Sequence, residues 1–528
     1  MSGTVESVQA SASPESKKDE RSDHRKILEA LSGLLLVLFV AMISSTIVST
    51  ALPRIIGALE GSQSQYTWVV TASLLAATVT TPIWGKLSDL YPKKSLVQIA
   101  IVIFAIGSIA CGFAANTEQL IGFRVLQGVG VGGLQALVQV VIATIIPPRE
   151  RGRYNGYLGS VMAVATVSGP LLGGLIVDTT WLGWRWCFFI GVPFALASLI
   201  VLAKTLKIAH TPRKVHIDYV GASLIALGVS TLLIWVSFAG SSFDWFSWQS
   251  AVMVIPSLLV LALAAWVEGR VKEPIVPLTV IKQRTTTLAI VASIAVGMAM
   301  FGGAVFLGQY FQVGRGYSPT EAGLLTIPLM GGVLISSTIS GLLITKTGKI
   351  KPYILAGTVI LVGGFALLST IDHETPLVWV GTGMALVGIG VGMSMQNLVL
   401  AVQNTTALKD LGSASSSVAF FRSLGGTIGV SVLGAILATR VAENITRAVA
   451  ASGVTPAAGE GVSNLDVAHL PAEMQVIVRQ AYGDATGHIF LIAAFIAVVS
   501  VIAAGMLPKI KLRSTLDLPS AEVPAQAK

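Results

Sequence analysis

The sequence predicts an all-α integral membrane protein of fourteen transmembrane helices: two six-helix bundles with two further helices inserted between them. The composition is one reason, because 53% of the 528 residues are hydrophobic and 12% are charged, whereas soluble proteins are about 25% charged. Apolar runs of about 20 residues, the length that crosses a bilayer, recur along the chain. A charged turn also repeats, since GKLSDLYPKK at 85–94 returns in degraded form as GLLITKTGKI at 341–350. A repeated turn of this kind indicates a duplicated bundle.

The order of polar and apolar stretches predicts five segments. They are a disordered cytosolic tail (1–28), an N-terminal six-helix bundle (29–206), a linker with two extra transmembrane helices (207–271), a C-terminal six-helix bundle (272–508) and a second cytosolic tail (509–528). Within the second bundle we expect one long outer loop at about 441–487. That loop is either a lid over the outer mouth or a solvated connector.

A formal net charge of +9 is found both in nucleic-acid-binding proteins and in membrane proteins. Here the basic residues lie in alternate short turns, as at Lys93 and Lys94, where they orient the spans. We therefore expect both termini in the cytosol, membrane lipid as a partner and no nucleic acid. Cys111 and Cys187 both fall in apolar runs, which indicates small core side chains rather than a disulfide.

The fourth apolar run carries a polar stripe, because Arg124, Gln127, Gln135 and Gln139 follow helical spacings of three and four with Val131 between them. A charge at mid-bilayer costs roughly 2.5–3.5 kcal/mol, so the stripe should face protein or water. One interpretation is a water-filled cavity. The other is that Arg124 extends toward the membrane surface or ties helices together through backbone carbonyls.

Several stretches, in their order and spacing, resemble the major facilitator superfamily, and within it the fourteen-span drug:proton antiporter family. They are GKLSDLYPKK (85–94), RVLQGVGVGG (124–133), SGPLLGG (168–174), WRWCFFIGVP (184–193), QYFQVGRGYSPTEAGLLTIP (309–328) and GSASSSVAFFRSLGGTIGVSVLG (412–434). The match extends from about residue 30 to residue 508.

This resemblance implies roles for particular residues. A cytosolic latch that favours the outward-open state would consist of Gly85, Asp89, Lys93 and Lys94, although Asp89 also fits an ordinary helix cap. An antiporter bend, associated in the family with export by exchange, would consist of Gly169, Pro170, Gly173 and Gly174. Arg422 would be the counterpart of Arg124 in the second half.

One departure from the family pattern concerns the first span, where Ser44 stands at the position of the carboxylate found in members that expel cations. Glu321, Asp178 and Asp89 remain as acidic candidates for proton coupling, since guanidinium does not titrate near neutral pH. Glu321 also fits a capping box with Ser318. We therefore predict a positive or neutral cavity that suits neutral or anionic amphiphiles.

Large apolar side chains and amides should form the wall of that cavity, although the same residues also suit ordinary helix packing. The candidates are Met298, Phe301, Phe306, Tyr310, Gln396 and Asn397.

The resemblance implies a monomeric secondary exporter of hydrophobic or amphiphilic small molecules in the cell membrane, a multidrug efflux protein of the kind that confers antibiotic resistance. It would work by proton antiport with alternating access, and would need a proton gradient but no cofactor or metal. Alternatives are a translocator of a lipid or a specific metabolite, a facilitator without proton coupling, and an intramembrane lipid-modifying enzyme. All six histidines lie outside the spans or at their edges, which argues against the enzyme.

Overall fold

The structure is a computed structural model that describes residues 14–60, 63–179, 181–206, 208, 218–240, 243–271, 274–452, 472–510 and 512–513. Its elements are helices. They are α1 (Pro14–Ala58), α2 (Gln63–Leu90), α3 (Lys93–Gly112), α4 (Thr117–Ile145), α5 (Pro148–Asp178), α6 (Trp186–Phe189), α7 (Gly191–Thr205), α8 (Tyr219–Phe238), α9 (Trp248–Glu268), α10 (Leu278–Ile281), α11 (Arg284–Gln309), α12 (Pro319–Leu325), α13 (Ile327–Thr347), α14 (Lys351–Leu368), α15 (Leu377–Thr405), α16 (Leu411–Ser452) and α17 (Ala472–Met506). A π-helical turn, Tyr310–Gly314, extends α11, and a 3₁₀ turn, Leu408–Asp410, precedes α16.

The membrane-spanning character of the chain is confirmed by these helices. Among the described residues, thirteen spans are long and apolar enough to cross a bilayer. The helix α5 is not one of these thirteen. It is nevertheless 31 residues long and packs between α1 and α13, so it completes the predicted fourteen.

Equivalent helix pairs pack in the same way in both halves of the chain. In the first half, a Cβ on Gly128 or Gly132 of α4 would collide with the α2 backbone at Ser73 or Ala77. In the second half, Gly388 and Gly392 of α15 meet α13 at Leu329 and Val333 in the same register. Small residues let helix backbones approach closely in lipid. The duplication inferred from the repeated turn is therefore also present in the three-dimensional packing.

The two repeated turns define what we call the turn face of the molecule, the end that carries the α2–α3 and α13–α14 connections; the far face is the opposite end. Two arginines, the buried Arg151 and the half-buried Arg513, cap equivalent helix ends on the turn face. Arg151 donates through Nε to the Ile146 carbonyl at 2.7 Å and through Nη2 to the Ala143 carbonyl of α4. Arg513 donates to the Gln403 and Thr406 carbonyls of α15 at 3.2 and 3.3 Å. Both arginines donate to carbonyl groups at a helix C-terminus, where the helix itself supplies no further N–H donors.

Three segments are more helical or more ordered than the sequence predicts. The helix α1 begins at Pro14, within the tail expected at 1–28; residues 1–13 lie outside the described residues. The expected outer loop at about 441–487 is helical at both ends, because α16 continues to Ser452 and α17 begins at Ala472; residues 453–471 lie outside the described residues, so its role as a lid or a connector stays a prediction. In the expected second tail, the Leu512 N–H donates to the Gly348 carbonyl at 3.0 Å, so this part of the tail is docked. Polar helix-forming residues extend spans beyond the apolar runs, and a hydropathy pattern does not detect them.

The two inserted helices, α8 and α9, form a hairpin on the flank of the molecule. An apolar cluster attaches the hairpin to the bundles, with Val79 of α2 and Phe420 of α16 packing against Ile225, Val229 and Leu233 of α8. The hairpin therefore packs against one helix from each half, α2 and α16.

Candidate functional site

Arg124 lies inside the first bundle, where it is 3% exposed. Its Nε donates to the Val69 carbonyl of α2 at 3.1 Å, and its Nη1 donates to Oε1 of Gln127 at 2.6 Å. The Gln127 amide donates in turn to Ser108 of α3 at 2.8 Å and to Ser44 of α1 at 3.3 Å. The arrangement joins four helices and matches the interpretation in which Arg124 ties helices together.

Gln135 and Gln139 continue the stripe along α4 and are half-buried. Gln135 contacts the Met42 sulfur of α1 at 3.6 Å. The buried Oε1 of Gln139 has no hydrogen-bond partner among the described residues. An amide oxygen in this state can accept a hydrogen bond from a ligand or a water molecule.

Arg422 is not the counterpart of Arg124 under the internal repeat. Gly128 of α4 and Gly388 of α15 are equivalent positions of the two halves. Arg124 lies one helical turn before Gly128, and the residue one turn before Gly388 is Met384, so Met384 is the equivalent of Arg124. Gly412 of α16 and Gly152 of α5 are also equivalent, because each packs against the other half of the molecule. Counting the same number of residues from each glycine, Arg422 aligns with Met162 of α5. The two arginines therefore occupy different positions within the repeat, and their pairing as one charge in each half stays a prediction.

The environment of Arg422 also differs from that of Arg124. Its backbone packs against Gly297 of α11, and the residue is 7% exposed. In the part of the chain that the structure describes, its buried Nη1 has no hydrogen-bond partner. A buried guanidinium with an unused donor can bind an anionic group.

Asp89, predicted as a latch residue, joins the two halves on the turn face. Its Oδ1 accepts the Gly412 N–H at 2.8 Å, and its Oδ2 accepts the Ser413 N–H at 2.9 Å and the Ser413 hydroxyl at 2.7 Å. A carboxylate at a helix N-terminus compensates the helix dipole and the free N–H groups. Asp89 is therefore both a cap and a contact between halves, so the two interpretations of its role describe the same bonds.

The two lysines of the predicted latch differ in position. Lys93 is close enough to Asp89 to act on its charge. Lys94 instead donates to the Ala203 carbonyl of α7 at 2.6 Å, within its own half. In the second half, Lys351 donates to the Gly505 carbonyl of α17 at 2.6 Å. Lys94 therefore caps the C-terminal end of α7, as Lys351 caps the end of α17, and it does not take part in the contact between the halves.

Two glycine crossings bring the halves together near the turn face. A Cβ on Gly85 of α2 would lie 2.8 Å from the Gly412 carbonyl of α16, and a Cβ on Gly152 of α5 would lie 2.6 Å from the Gly341 carbonyl of α13. Gly85 and Gly341 are the first residues of the two repeated turns. Ser160 of α5 extends the second crossing through a 3.2 Å contact with the Thr338 hydroxyl. The halves are therefore in close contact on this side.

The predicted antiporter bend lies in α5, which remains helical from Pro148 to Asp178. Gly169 packs directly against the Thr46 side chain of α1, while Gly174 faces open space; Gly173 is buried. The side chains of Pro170 and Asp178 lie outside the described residues.

Glu321 forms the predicted capping box at the start of α12. Its Oε2 accepts the Ser318 N–H and the Ser318 hydroxyl, both at 2.8 Å, and the Ser318 hydroxyl oxygen accepts the Glu321 N–H at 3.3 Å. The carboxylate is exposed. The local role is thus present, and a role in proton coupling stays a prediction.

The predicted wall residues fall into three groups. Gln396 contacts the Met162 sulfur of the other half at 3.7 Å, and Asn397 donates to the Ser340 hydroxyl of α13 at 3.4 Å. The structure also places Met298, Phe301 and Phe306 on α11 facing α16, where they contact Gly429, Gly426 and Gly434. These three therefore take part in helix packing.

Tyr310 lies apart from the other predicted wall residues. Its hydroxyl donates to the Asp372 carbonyl at 2.7 Å and accepts from Arg315 at 3.2 Å on the far face. A hydrogen bond from the Thr375 hydroxyl holds the pKa of Asp372 below its ordinary value, so this acid is ionised at neutral pH.

A cavity of about 510 Å³ opens on the flank, between the α8–α9 connection and α16. Its lining includes Trp245, Phe246, Ile436, Arg440 and Glu443. It shares no residue with the predicted wall. We place the candidate site by its buried polar groups, because those restrict the chemistry of a ligand more than apolar volume does.

The remaining polar groups of the site were not predicted individually. Ser108 lies inside an apolar run, where a serine attracts no attention. The bond of Lys351 to the Gly505 carbonyl could be predicted only if the end of α17 were known. The contact of Ser108 with Gln127 cannot be predicted from the residues around Ser108, because it depends on how α3 packs on α4.

Comparison with known proteins agrees with this architecture. Residues 34–430 match the family model described as Major Facilitator Superfamily. The chain belongs to the major facilitator superfamily. This confirms the resemblance inferred from the motifs and the predicted fold class.

Named relatives of this major facilitator protein include transporters of drugs. It is 36% identical over 429 residues to the multidrug transporter protein MdtP of Bacillus subtilis, covering 81% of this chain and 78% of the relative. It is also 30% identical over 497 residues to multidrug resistance protein 3 of the same organism, covering 92% and 96%.

The solved structure of the proton:xylose symporter XylE superposes with a TM-score of 0.61 at 14% identity, covering 94% of this chain and 98% of that one. This likeness shows the fold alone. As a member of the major facilitator superfamily, the chain is a transporter and not an enzyme, which sets aside the lipid-modifying alternative.

Proposed function

We propose that this transporter is a secondary active exporter of hydrophobic or amphiphilic small molecules, and that it confers tolerance to such compounds. The proposal rests on relatives of 36% and 30% identity that are named a multidrug transporter and a multidrug resistance protein. It places the chain as a monomer in the cytoplasmic membrane, surrounded by lipid, with both termini and the turn face in the cytosol.

Alternating access is the mechanism that the packing supports best. The contacts between Asp89 and α16, together with the crossings Gly85–Gly412 and Gly152–Gly341, all lie at the turn face. If that face is cytosolic, they hold the outward-facing state. Transport then requires these contacts to separate while the two bundles rock about the site between them.

Proton antiport is the proposed driving force, and no cofactor or metal is required. A proton moving down a membrane potential contributes about 2.3 kcal/mol per 100 mV. If transport persists without a pH gradient or potential, the non-coupled facilitator is the better description.

The proposed substrates are neutral or anionic amphiphiles. The observation that carries this choice is the buried Arg422, whose Nη1 lacks a hydrogen-bond partner within the described chain, together with Ser44 at the position of the usual acid. An anionic substituent near Arg422 would supply the missing acceptor.

Reconstituted protein with an imposed pH gradient tests this choice. We expect an anionic dye to be taken up faster than a quaternary cation, and Arg422→Gln to remove that preference while neutral dye transport is retained. Arg440→Gln, a charge change in the same helix at an exposed site, is the control. Preference for the cation in the wild-type protein would contradict the proposal, and transport confined to one lipid or metabolite would favour the translocator.

A further inference from the structure

Two acidic side chains meet at the base of the α8–α9 hairpin, at the turn-face end. Asp218 directly precedes α8, and Glu268 is the last residue of α9; they are 7% and 4% exposed. A Cβ placed on Gly221 would lie 2.8 Å from Oε1 of Glu268 and would also collide with Oδ2 of Asp218. The two carboxylate oxygens therefore border the same small space.

Three of the four carboxylate oxygens of this pair accept a backbone N–H. Oδ1 of Asp218 accepts the Gly221 N–H at 2.8 Å. The two oxygens of Glu268 accept the N–H groups of Ile275 and Val276, both at 3.2 Å. The exception is Oδ2 of Asp218, which is buried and has no hydrogen-bond partner among the residues described.

Basic and apolar side chains of neighbouring elements surround the pair, and Lys86 is the cation that acts on Glu268. Lys86 of α2 is 5% exposed and close enough to act on Glu268, and it has other contacts as well. The Arg270 guanidinium, just after α9, stacks on Trp266 at 3.7 Å. Helix α16 contributes apolar side chains to the hairpin cluster, including Phe420.

We propose that Asp218 and Glu268 form a proton-binding site, in which one proton is held between Oδ2 of Asp218 and Oε1 of Glu268 at neutral pH. Two adjacent buried carboxylates do not both ionise at low cost, because each disfavours the charge of the other. A shared proton supplies the donor that Oδ2 lacks. The single negative charge that remains is balanced by Lys86.

The site links proton binding to the attachment of the hairpin. Loss of the proton places a second negative charge in the buried space beside Gly221, and repulsion then weakens the joint between α8 and α9. Because the hairpin packs on α2 and α16, this joint lies next to the helices that carry the contact of Asp89 with α16. The site does not depend on which substrate is carried.

Infrared spectroscopy of the full-length protein in lipid nanodiscs tests the site. The wild-type protein should show a protonated carboxyl band at neutral pH that weakens on alkalinisation. Asp218→Asn and Glu268→Gln should each remove that band, because the remaining acid ionises once its partner is neutral. Asp244→Asn, at the exposed opposite end of the same hairpin, should leave the band unchanged.

Thermal unfolding provides a second measurement. Since the folded pair holds a proton that the unfolded chain releases at neutral pH, wild-type stability should fall as pH rises through the titration of the pair. The double variant Asp218→Asn with Glu268→Gln preserves an amide hydrogen bond at the same place and should lose this component of the pH dependence. A carboxyl band that survives both single substitutions, or a double variant with unchanged pH dependence, overturns the proposal.

Discussion

Asp89 at the end of α2 accepts two hydrogen bonds from Ser413 at the start of α16, one from the backbone N–H at 2.9 Å and one from the hydroxyl at 2.7 Å. Hydrogen bonds to a charged group contribute about 1.5–3 kcal/mol. We therefore expect Asp89→Asn to shift the population toward separation of the halves by about tenfold or more. The measurement is the rate at which a water-soluble thiol reagent labels Ser337→Cys, a buried position between α5 and α13.

The control for Asp89→Asn is Thr345→Val, at the equivalent place in the second repeated turn. The Thr345 hydroxyl donates to the Gly341 carbonyl of its own helix at 2.9 Å. Labelling should not change in this variant. Equal labelling in Asp89→Asn and the parent protein would show that these bonds do not hold the halves together.

Gly341→Ala should destabilise the contact between α13 and α5. The added methyl group would collide with the Gly152 carbonyl, and overpacking of this kind costs about 1–3 kcal/mol. We expect a lower unfolding temperature and faster labelling of Ser337→Cys. Gly331→Ala in the same helix has open space around the new methyl group and should be neutral or about 1 kcal/mol more stable. Identical behaviour of the two variants would contradict the crossing.

Glu321→Gln should retain pH-driven transport. Glutamine still accepts the Ser318 N–H, so the capping box survives. Glu321→Ala should lower stability by about 0.5–2 kcal/mol through loss of the cap while transport continues. Dye uptake under an imposed pH gradient decides the point, since a proton carrier would lose coupling in Glu321→Gln.

Lys94→Ala and Lys351→Ala should have matching effects, because both lysines bond to carbonyls at the ends of equivalent helices. Each substitution should cost about 0.3–1 kcal/mol of stability, measured by thermal unfolding, and leave Ser337→Cys labelling unchanged. If Lys94→Ala alone accelerates labelling, Lys94 belongs to the latch after all.

Motifs and hydropathy predict the spans and the duplication, because both depend on local composition and on residues at fixed spacing. The Gly128 and Gly388 contacts follow from the same repeats that are visible in the sequence. The roles of individual polar residues follow less directly. Lys94 is adjacent to Lys93 in sequence, yet helix geometry directs it to α7.

The acidic pair at the hairpin shows the same limit. Asp218 and Glu268 are separated by two complete helices, and each falls at the edge of an apolar run, where an acid is usually solvated. Their proximity depends on how α8 and α9 pair, with Gly221 small enough to let both oxygens approach. A single sequence contains no signal for that pairing.

The two repeated turns are no longer equivalent: a carboxylate at residue 89 bonds across to the opposite half, whereas the threonine at residue 345 bonds to its own helix. In a perfectly duplicated pair of bundles, the α2–α16 and α5–α13 crossings would be identical, and both would be equally easy to separate. The α2–α16 crossing is held by a charged side chain, whereas the α5–α13 crossing is held by close backbone packing and by neutral hydroxyl contacts such as Ser160 with Thr338. A substitution at residue 89 therefore weakens one crossing and leaves the other unchanged.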